Sequence, residues 1–328
     1  MIASIDWAHT KPLSIHLDGE SHEVVFKDII TFIKEHDIDT VVGENIPSKI
    51  LLALLEHNIK IFRCSGTTTA DYRKQNNLEK ESDSLDARYI LEVYSIHPEL
   101  FYEYTEKDKI FLRAKHLYKL RDNIQITRIQ YELKINACKN FFLVDDDIID
   151  KLSSIHKELY QKEVYLDTKF KKSYFKKYID LFNDVNGLGG IGIGYIISEI
   201  GDINRFKNIK SFLNYAFGYN GSHHNHRLKT RLLMTVDDVF RHKNKYYLEL
   251  YHKYKETLKN KHPEKIKQDS KTKYNPAHLS RLAKRRVARE IAVLIYKRIK
   301  CYSEIDTGLP LNKNHDRIKT SIVNLMEA

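Results

Sequence analysis

Four acidic residues have the types and the spacing to hold hard cations. Asp6 closes the apolar run Met1-Ile2-Ala3-Ser4-Ile5, and Glu44 follows Val41-Val42-Gly43. Asp83 and Asp86 lie three apart in Glu81-Ser82-Asp83-Ser84-Leu85-Asp86. A carboxylate at the end of a strand projects from the rim of a sheet, and two Asp at i and i+3 share a helix face. Charge directly after a buried strand is costly unless it is paired or used. Carboxylates from two strand ends and one helix are therefore expected to converge on a pair of Mg²⁺ (or Mn²⁺) ions. Such a pair clamps the attacking and leaving oxygens of a phosphodiester. For Asp83 the competing assignment is a helix cap, because Asp beside a helix start commonly serves as one.

A mixed sheet has to position these acids. Residues 2–6 and 13–17 read as strands joined by a short polar turn, and Val24-Val25-Phe26 as a third, which makes a meander. Lys27 to His36 carries Ile29, Ile30 and Ile33 at helical spacing, and Thr40 to Glu44 is a strand. Pro47 opens a helix over Ile50 to His57, and Ile59 to Phe62 is another short strand. Strand–helix alternation after a meander predicts an α/β domain with a mixed sheet over residues 1–105. The polar segment Gly66 to Glu79, with three consecutive Thr, reads as a loop before the Asp83/Asp86 helix.

Residues 106–175 read as a helical arm. Glu106 to Asn140 has no Gly or Pro, with Ile110, Leu117, Ile124 and Tyr131 recurring every seven residues, and Asp147 to Lys171 is a second charged helical run. Two arrangements fit: a coiled-coil-like antiparallel pair, or ordinary helices packed on the domain. The arm is also where self-association into a homodimer or homotetramer is expected.

Residues 176–328 form a third, mainly helical region. Five of the twelve glycines fall between 187 and 194. Gly187-x-Gly189-x-x-Gly192 fits a dinucleotide fingerprint on paper, but Asp184 and Asn186 interrupt any strand before it and no βαβ unit follows. A helix-hairpin-helix-like segment is the better reading. In it the backbone N–H groups around Gly187, Gly189, Gly190 and Gly192 can approach a DNA phosphate. Arg227, Lys229 and Arg231 follow a Gly-Ser-His-rich stretch and suit phosphate contact. The last strong helix, Leu279 to Lys300, has an apolar stripe of Leu279, Ala283, Val287, Ile291 and Leu294, while Lys284, Arg285, Arg286 and Arg289 ride mostly on its other faces.

Charge agrees with a polyanion partner. The chain carries +11, yet residues 241–300 hold 19 Lys/Arg against 5 Asp/Glu, +14, which leaves −3 for the remainder. A lysine-rich surface serving solubility alone would spread its charge more evenly; a concentrated basic segment beside an acidic half suits nucleic acid held by one part and cut by another. Cys64, Cys138 and Cys301 are far apart with no CxxC pair, which fits a reducing cytoplasm and argues against a cysteine zinc cage. No apolar run reaches membrane-spanning length, and the short N-terminal run ends in Asp6, so a soluble cytoplasmic, nucleoid-associated protein is expected.

Taken in order, these motifs resemble the DEDD transposases of the "IS one-ten" group of insertion sequences and the related Piv-type DNA invertases. Asp6, Glu44, Asp83 and Asp86 are similar to that family's RuvC-like tetrad. Gly187-Leu188-Gly189-Gly190-Ile191 with Glu199-Ile200-Gly201-Asp202-Ile203-Asn204-Arg205-Phe206 is similar to its second-domain signature, and Leu213 to Tyr219 and the Ala283 to Ile299 helix to its later elements. The resemblance covers nearly the whole chain. It implies an RNase H-like (RuvC-like) domain, a helical arm and a transposase domain with a serine nucleophile. It also implies a guide RNA of the bridge type that pairs with donor and target DNA. Ser222 is then the candidate nucleophile, forming a phosphoserine link that conserves bond energy for religation. The family's order at this place is Ser-Gly; here it is Gly221-Ser222, with a shorter following loop and His223, His224 and His226 close by. Three functions remain open at this point: a DNA recombinase or transposase with Ser222 as nucleophile, a RuvC-like metal-dependent endonuclease in which Ser222 is a turn or cap residue, and a non-catalytic nucleic-acid-binding relative.

Overall fold

In the computed structural model, the structure describes residues 1–7, 12–44, 46–64, 68–78, 83–140, 145–172, 175–218, 224–261 and 276–306. Strand β1 (Ile2–Asp6) pairs antiparallel with β2 (Leu13–Leu17). Asp18 and Gly19 both adopt positive φ, 49° and 86°, as a two-residue hairpin turn requires. That turn sets Leu17 opposite Glu20, so β3 is Glu20–Val24. The third strand thus lies earlier than Val24-Val25-Phe26, and residues 26–28 form a 3-10 helix instead. After α1 (Ile29–Glu35), β4 (Thr40–Gly43) adds parallel to β1. After α2 (Ser48–Glu56), β5 (Lys60–Arg63) adds parallel to β4. Then come α3 (Thr68–Gln75), α4 (Asp83–Ile96) and the short antiparallel β6 (Tyr102–Tyr104). The result is a six-stranded mixed sheet in the order β3-β2-β1-β4-β5-β6.

Two elements here differ from expectation. Helix α3 stands where Gly66 to Glu79 reads as a loop. Its sequence has no apolar stripe; it is held by tertiary contacts, with Thr69 buried and the Tyr72 hydroxyl donating to Glu92 of α4 at 3.2 Å. Such contacts routinely override weak propensity. Strand β6 has three residues, too few for alternation to register.

The chain divides into two compact units, Met1–His116 and Leu117–Ala328. In the first, Ala3, Ile5, Leu13, Ile15, Val41 and Ile61 are buried with the apolar sides of α1 and α2. Helix α4 packs on β1 and β2, and the buried Ser4 hydroxyl donates to the Ala87 carbonyl at 2.5 Å. Helix α5 (Glu106–Asn140) starts in this unit and continues into the second.

In the helical unit α5 runs antiparallel to α6 (Asp146–Lys172). Tyr118 stacks on Phe170 at 3.9 Å, Arg121 bonds Asp167 and Glu163 at 2.8 Å each, and Arg128 bonds Glu163 at 2.8 Å. The seam is therefore aromatic and ionic. The seven-residue stripe lies off it, with Leu117 exposed and Ile124 and Tyr131 half-buried, so the apolar repeat does not form a coiled-coil core between these two helices. Next follow α7 (Lys176–Asp180), α8 (Gly190–Ile200), α9 (Ile209–Phe217), α10 (His226–Arg241), α11 (Lys245–Lys261) and α12 (Pro276–Asp306). Helix α12 packs on α9, α10 and α11, burying Ala283, Val287, Ala288, Ile291 and Ile295. Leu294, expected in that stripe, is half-buried, because Ile295 takes the inward position. No helix among the described residues is long and apolar enough to cross a membrane.

Gly187 has a packing role that its sequence reading did not include. It has φ +92°, and a Cβ there would overlap the backbone of Val239 and Asp238 in α10. Replacing it with Ala should destabilise the chain by about 2–4 kcal/mol through left-handed strain and displacement of α10. Urea unfolding measures this, and a loss under about 1 kcal/mol, within the range of ordinary surface changes, would show that the turn is not clamped against α10.

Candidate functional site

The register of β1 and β4 brings the first two acids together. The strands are parallel with Ile5 beside Gly43, so the next residue on each, Asp6 and Glu44, leaves the sheet at the same edge. Glu44 is half-buried. Its Oε1 accepts the Thr69 backbone N–H at 3.3 Å, and its backbone carbonyl accepts from Arg63 Nε at 2.7 Å. Burial pushes the Glu44 carboxyl above its ordinary range; the Thr69 bonds pull the other way, and the Asp6 charge adds to the rise. One strand further, Cys64 follows β5, and burial foremost, with Glu44's charge next, pushes its thiol up to about 12. Burial therefore favours the protonated thiol at Cys64.

Helix α4 delivers the other pair. Asp83 begins it; the Asp83 side chain lies outside what the structure describes. Asp86, one turn on, is buried and forms an ion pair with Arg73 of α3. Arg73's charge also reaches Glu44. A cation thus already stands among the acids, and it is a guanidinium from the segment that reads as a loop. Nothing in the sequence around Arg73 distinguishes it from a solvated charge.

The expectation that all four acids converge is met only in part by what the structure describes. Among the described residues no group of three or more His, Cys, Asp or Glu is placed to hold a metal ion. Asp6 and Glu44 are neighbours, Asp86 is engaged by Arg73, and the Asp83 side chain lies outside the described residues. The donor chemistry, carboxylate oxygens only, fits a hard divalent cation. The present arrangement balances these acids with Arg73.

The second unit gathers cations. Lys229, Arg285, Arg286 and Arg289 line one cavity of about 380 Å³ together with Phe217, Leu258 and Leu282. Arg289 lies over the Phe217 ring at 5.7 Å and Arg286 over Tyr254 at 5.4 Å. Lys229 Nζ contacts His224 Nε2 at 3.2 Å. Two expected phosphate ligands face elsewhere. Lys284 pairs with Asp237, because its position on α12 points it toward α10. Arg231 bonds Asp122 at 3.3 Å and covers the Tyr195 ring at 4.1 Å, so it is spent inside the helical unit. Burial raises the Asp122 carboxyl, and the charges of Arg231 and Arg121 counter that rise.

Ser222 and His223 lie outside the described residues, but both flanks of their segment are fixed. The Asn225 N–H donates to the Tyr215 carbonyl at 2.7 Å, and the Asn225 side-chain amide donates to the Tyr215 hydroxyl at 2.7 Å and to the buried Glu199 at 3.2 Å. The Tyr215 hydroxyl donates to the Glu199 carbonyl at 3.1 Å, and Asn225 Oδ1 caps α10 through the Leu228 N–H at 3.0 Å. Sequence reading missed Glu199 and Asn225 as anchors; Asn just before a helical run was the available signal. Of the other hairpin glycines, Gly189 caps α8, and a Cβ at Gly189 or Gly192 would meet open space, whereas at Gly190 it would touch Ile179. Comparison with models of protein families and with curated proteins finds no match for this chain.

The acid pair generates a test of its electrostatics. A carboxyl raised on folding is stabilising when protonated, so its contribution is full below the unfolded pKa and is lost as pH rises through the folded value. Glu44→Gln should therefore raise the metal-free melting temperature at pH 7, and the advantage should vanish below the pH at which unfolded glutamate protonates. Thermal melts in chelator across pH measure this; an unchanged or lower melting temperature at pH 7 contradicts the assigned burial and repulsion.

Proposed function

We propose that the chain is a metal-dependent DNA recombinase or transposase, with strand chemistry at the carboxyl edge of the sheet and a serine nucleophile at Ser222. The observation that carries the reading is the parallel β1/β4 register that sets Asp6 beside Glu44, with α4 tied to β1 through Ser4. A three-strand meander followed by two parallel strands is the topology that an RNase H-like reading anticipates, and it supports assigning the sheet to that class. Asp6, Glu44, Asp83 and Asp86 would hold Mg²⁺ or Mn²⁺, which when bound supplies charge for the oxygens that develop at phosphorus. Two carboxylates side by side disfavour joint ionisation unless a cation is present, so the edge selects for cation binding.

In this reading the helical unit binds the DNA. Lys229, Arg285, Arg286 and Arg289 face a common space and supply the phosphate contacts, while Arg227, exposed at the start of α10, acts on Asp122 and Tyr195 instead. The open backbone at Gly189 and Gly192 leaves the N-terminus of α8 accessible to a further phosphate. Donor and target DNA, a guide RNA and a homodimeric or homotetrameric assembly complete the proposal; the family resemblance motivates the guide RNA and the helical arm the assembly.

The discriminating assay is denaturing electrophoresis of labelled DNA after incubation with protein and Mg²⁺. The recombinase reading expects a protein-sized labelled band that survives denaturation, lost in Ser222→Ala with DNA binding retained, and lost in Asp6→Asn as well. Free cleaved ends without that band, with Ser222→Ala cutting as well as wild type, would make the chain a hydrolytic endonuclease. Full tolerance of Asp6→Asn and Ser222→Ala would make it a binding protein.

A further inference from the structure

The cation-lined cavity of the helical unit has a lining that phosphate contact does not require. Phe217 and Leu258 are buried and Leu282 is half-buried, so apolar side chains share the lining of the hollow about equally with its polar groups. Cations that only track a duplex need no apolar hollow, because their contribution is electrostatic and comes from counterion release. A volume of about 380 Å³ lies near the small end of ligand cavities, roughly 300–1,000 Å³. It suits one nucleotide and excludes a duplex. Bases taken out of their stack bind against aromatic and apolar side chains and on guanidinium planes, with neighbouring phosphates held by cations.

We propose that this cavity receives a single unstacked nucleotide of a DNA strand, its base against Phe217, Leu258 and Leu282 and its flanking phosphates on Lys229, Arg285 and Arg289. The proposal rests on the DNA reading above and specifies how a strand is gripped. Its position in the chain gives it consequence. Phe217 closes α9 immediately before the segment that carries Ser222, and Lys229 contacts His224 immediately after it. A nucleotide drawn into the cavity therefore anchors the strand between the two fixed ends of that segment. Unstacking also turns the backbone at that nucleotide, which exposes the adjoining phosphodiester.

The test uses full-length protein without divalent cation and single-stranded DNA bearing 2-aminopurine, whose emission rises when it leaves the stack. Wild type should raise the emission severalfold. Leu282→Trp, which fills the hollow, should abolish the rise and lower affinity by the lost base contact while the salt slope stays unchanged, because phosphate contacts persist. Arg285→Gln with Arg289→Gln should act differently, reducing the slope of log affinity against log salt by about 1.4, the amount for two single-strand phosphate contacts. These two arginines are exposed, so this variant keeps the test informative if the Trp variant folds poorly. No rise with wild type, a full rise in folded Leu282→Trp, or an equal or greater rise with the matching RNA would overturn the proposal. A rise without any covalent adduct in the electrophoretic assay would remove the recombinase reading and leave the nucleotide site standing; an adduct without a rise would remove the nucleotide site alone.

Discussion

Like charges set side by side by backbone register are the constraint on which the first unit depends. Parallel pairing of β1 and β4 leaves no freedom in where Asp6 and Glu44 emerge, since each follows directly from a paired residue, Ile5 and Gly43. Neither acid escapes to solvent by moving along its strand, because a shift of one residue would turn the buried face of the sheet outward. Burial foremost, with the Asp6 charge adding to it, raises Glu44. Arg73 supplies a positive charge from α3, and its ion pair with Asp86 draws α3 and α4 to the same edge. Helix α3, which has no apolar stripe, is thereby held by polar contacts: Thr69 to Glu44, Tyr72 to Glu92 and Arg73 to Asp86.

The helical unit follows a different logic. Helix α12 buries one face, with Ala283, Val287 and Ile291 inaccessible, and its basic residues are sorted by which neighbour each faces. Lys284 meets Asp237 of α10, while Arg285, Arg286 and Arg289 face the cavity closed by Phe217 and Leu258. Arg231 is likewise assigned inward by Asp122 and the Tyr195 ring. Cations on one helix that look alike in sequence therefore do different work: some join helices, and others remain to meet an anion. The net positive charge of the 241–300 segment overstates the cations free for a partner by the number that such internal pairs consume.

Much of the framework was legible because it is periodic. Short apolar segments around a polar turn marked β1 and β2, 3.6-residue spacing marked α1 and α12, and the absence of Gly and Pro marked α5 within a residue or two. The acid pair was legible as two charges that each end an apolar run. Elements that depend on tertiary contact were not. Helix α3 needs Thr69 and Tyr72 to meet their partners, Arg73 has meaning only beside Asp86, and β6 exists because β5 offers it an edge. The offset of β3 was recoverable from Asp18-Gly19, a turn signal stronger than the valine pair that follows it. In the arm, Leu117 and Tyr131 suggested a seam that Tyr118 and Arg121 in fact form, because a single apolar position in seven does not outweigh ionic and aromatic pairs across the two helices.

The central claim is that the carboxyl edge is a divalent-cation site whose charge Arg73 balances until the ion arrives. Calorimetric titration of Mn²⁺ into wild type, Asp6→Asn and Arg73→Gln tests it without reference to catalysis. The account predicts saturable binding by wild type, tighter binding by Arg73→Gln because a competing cation has been removed, and loss of binding in Asp6→Asn. Binding that is absent from wild type, or that is indifferent to both substitutions, would contradict it.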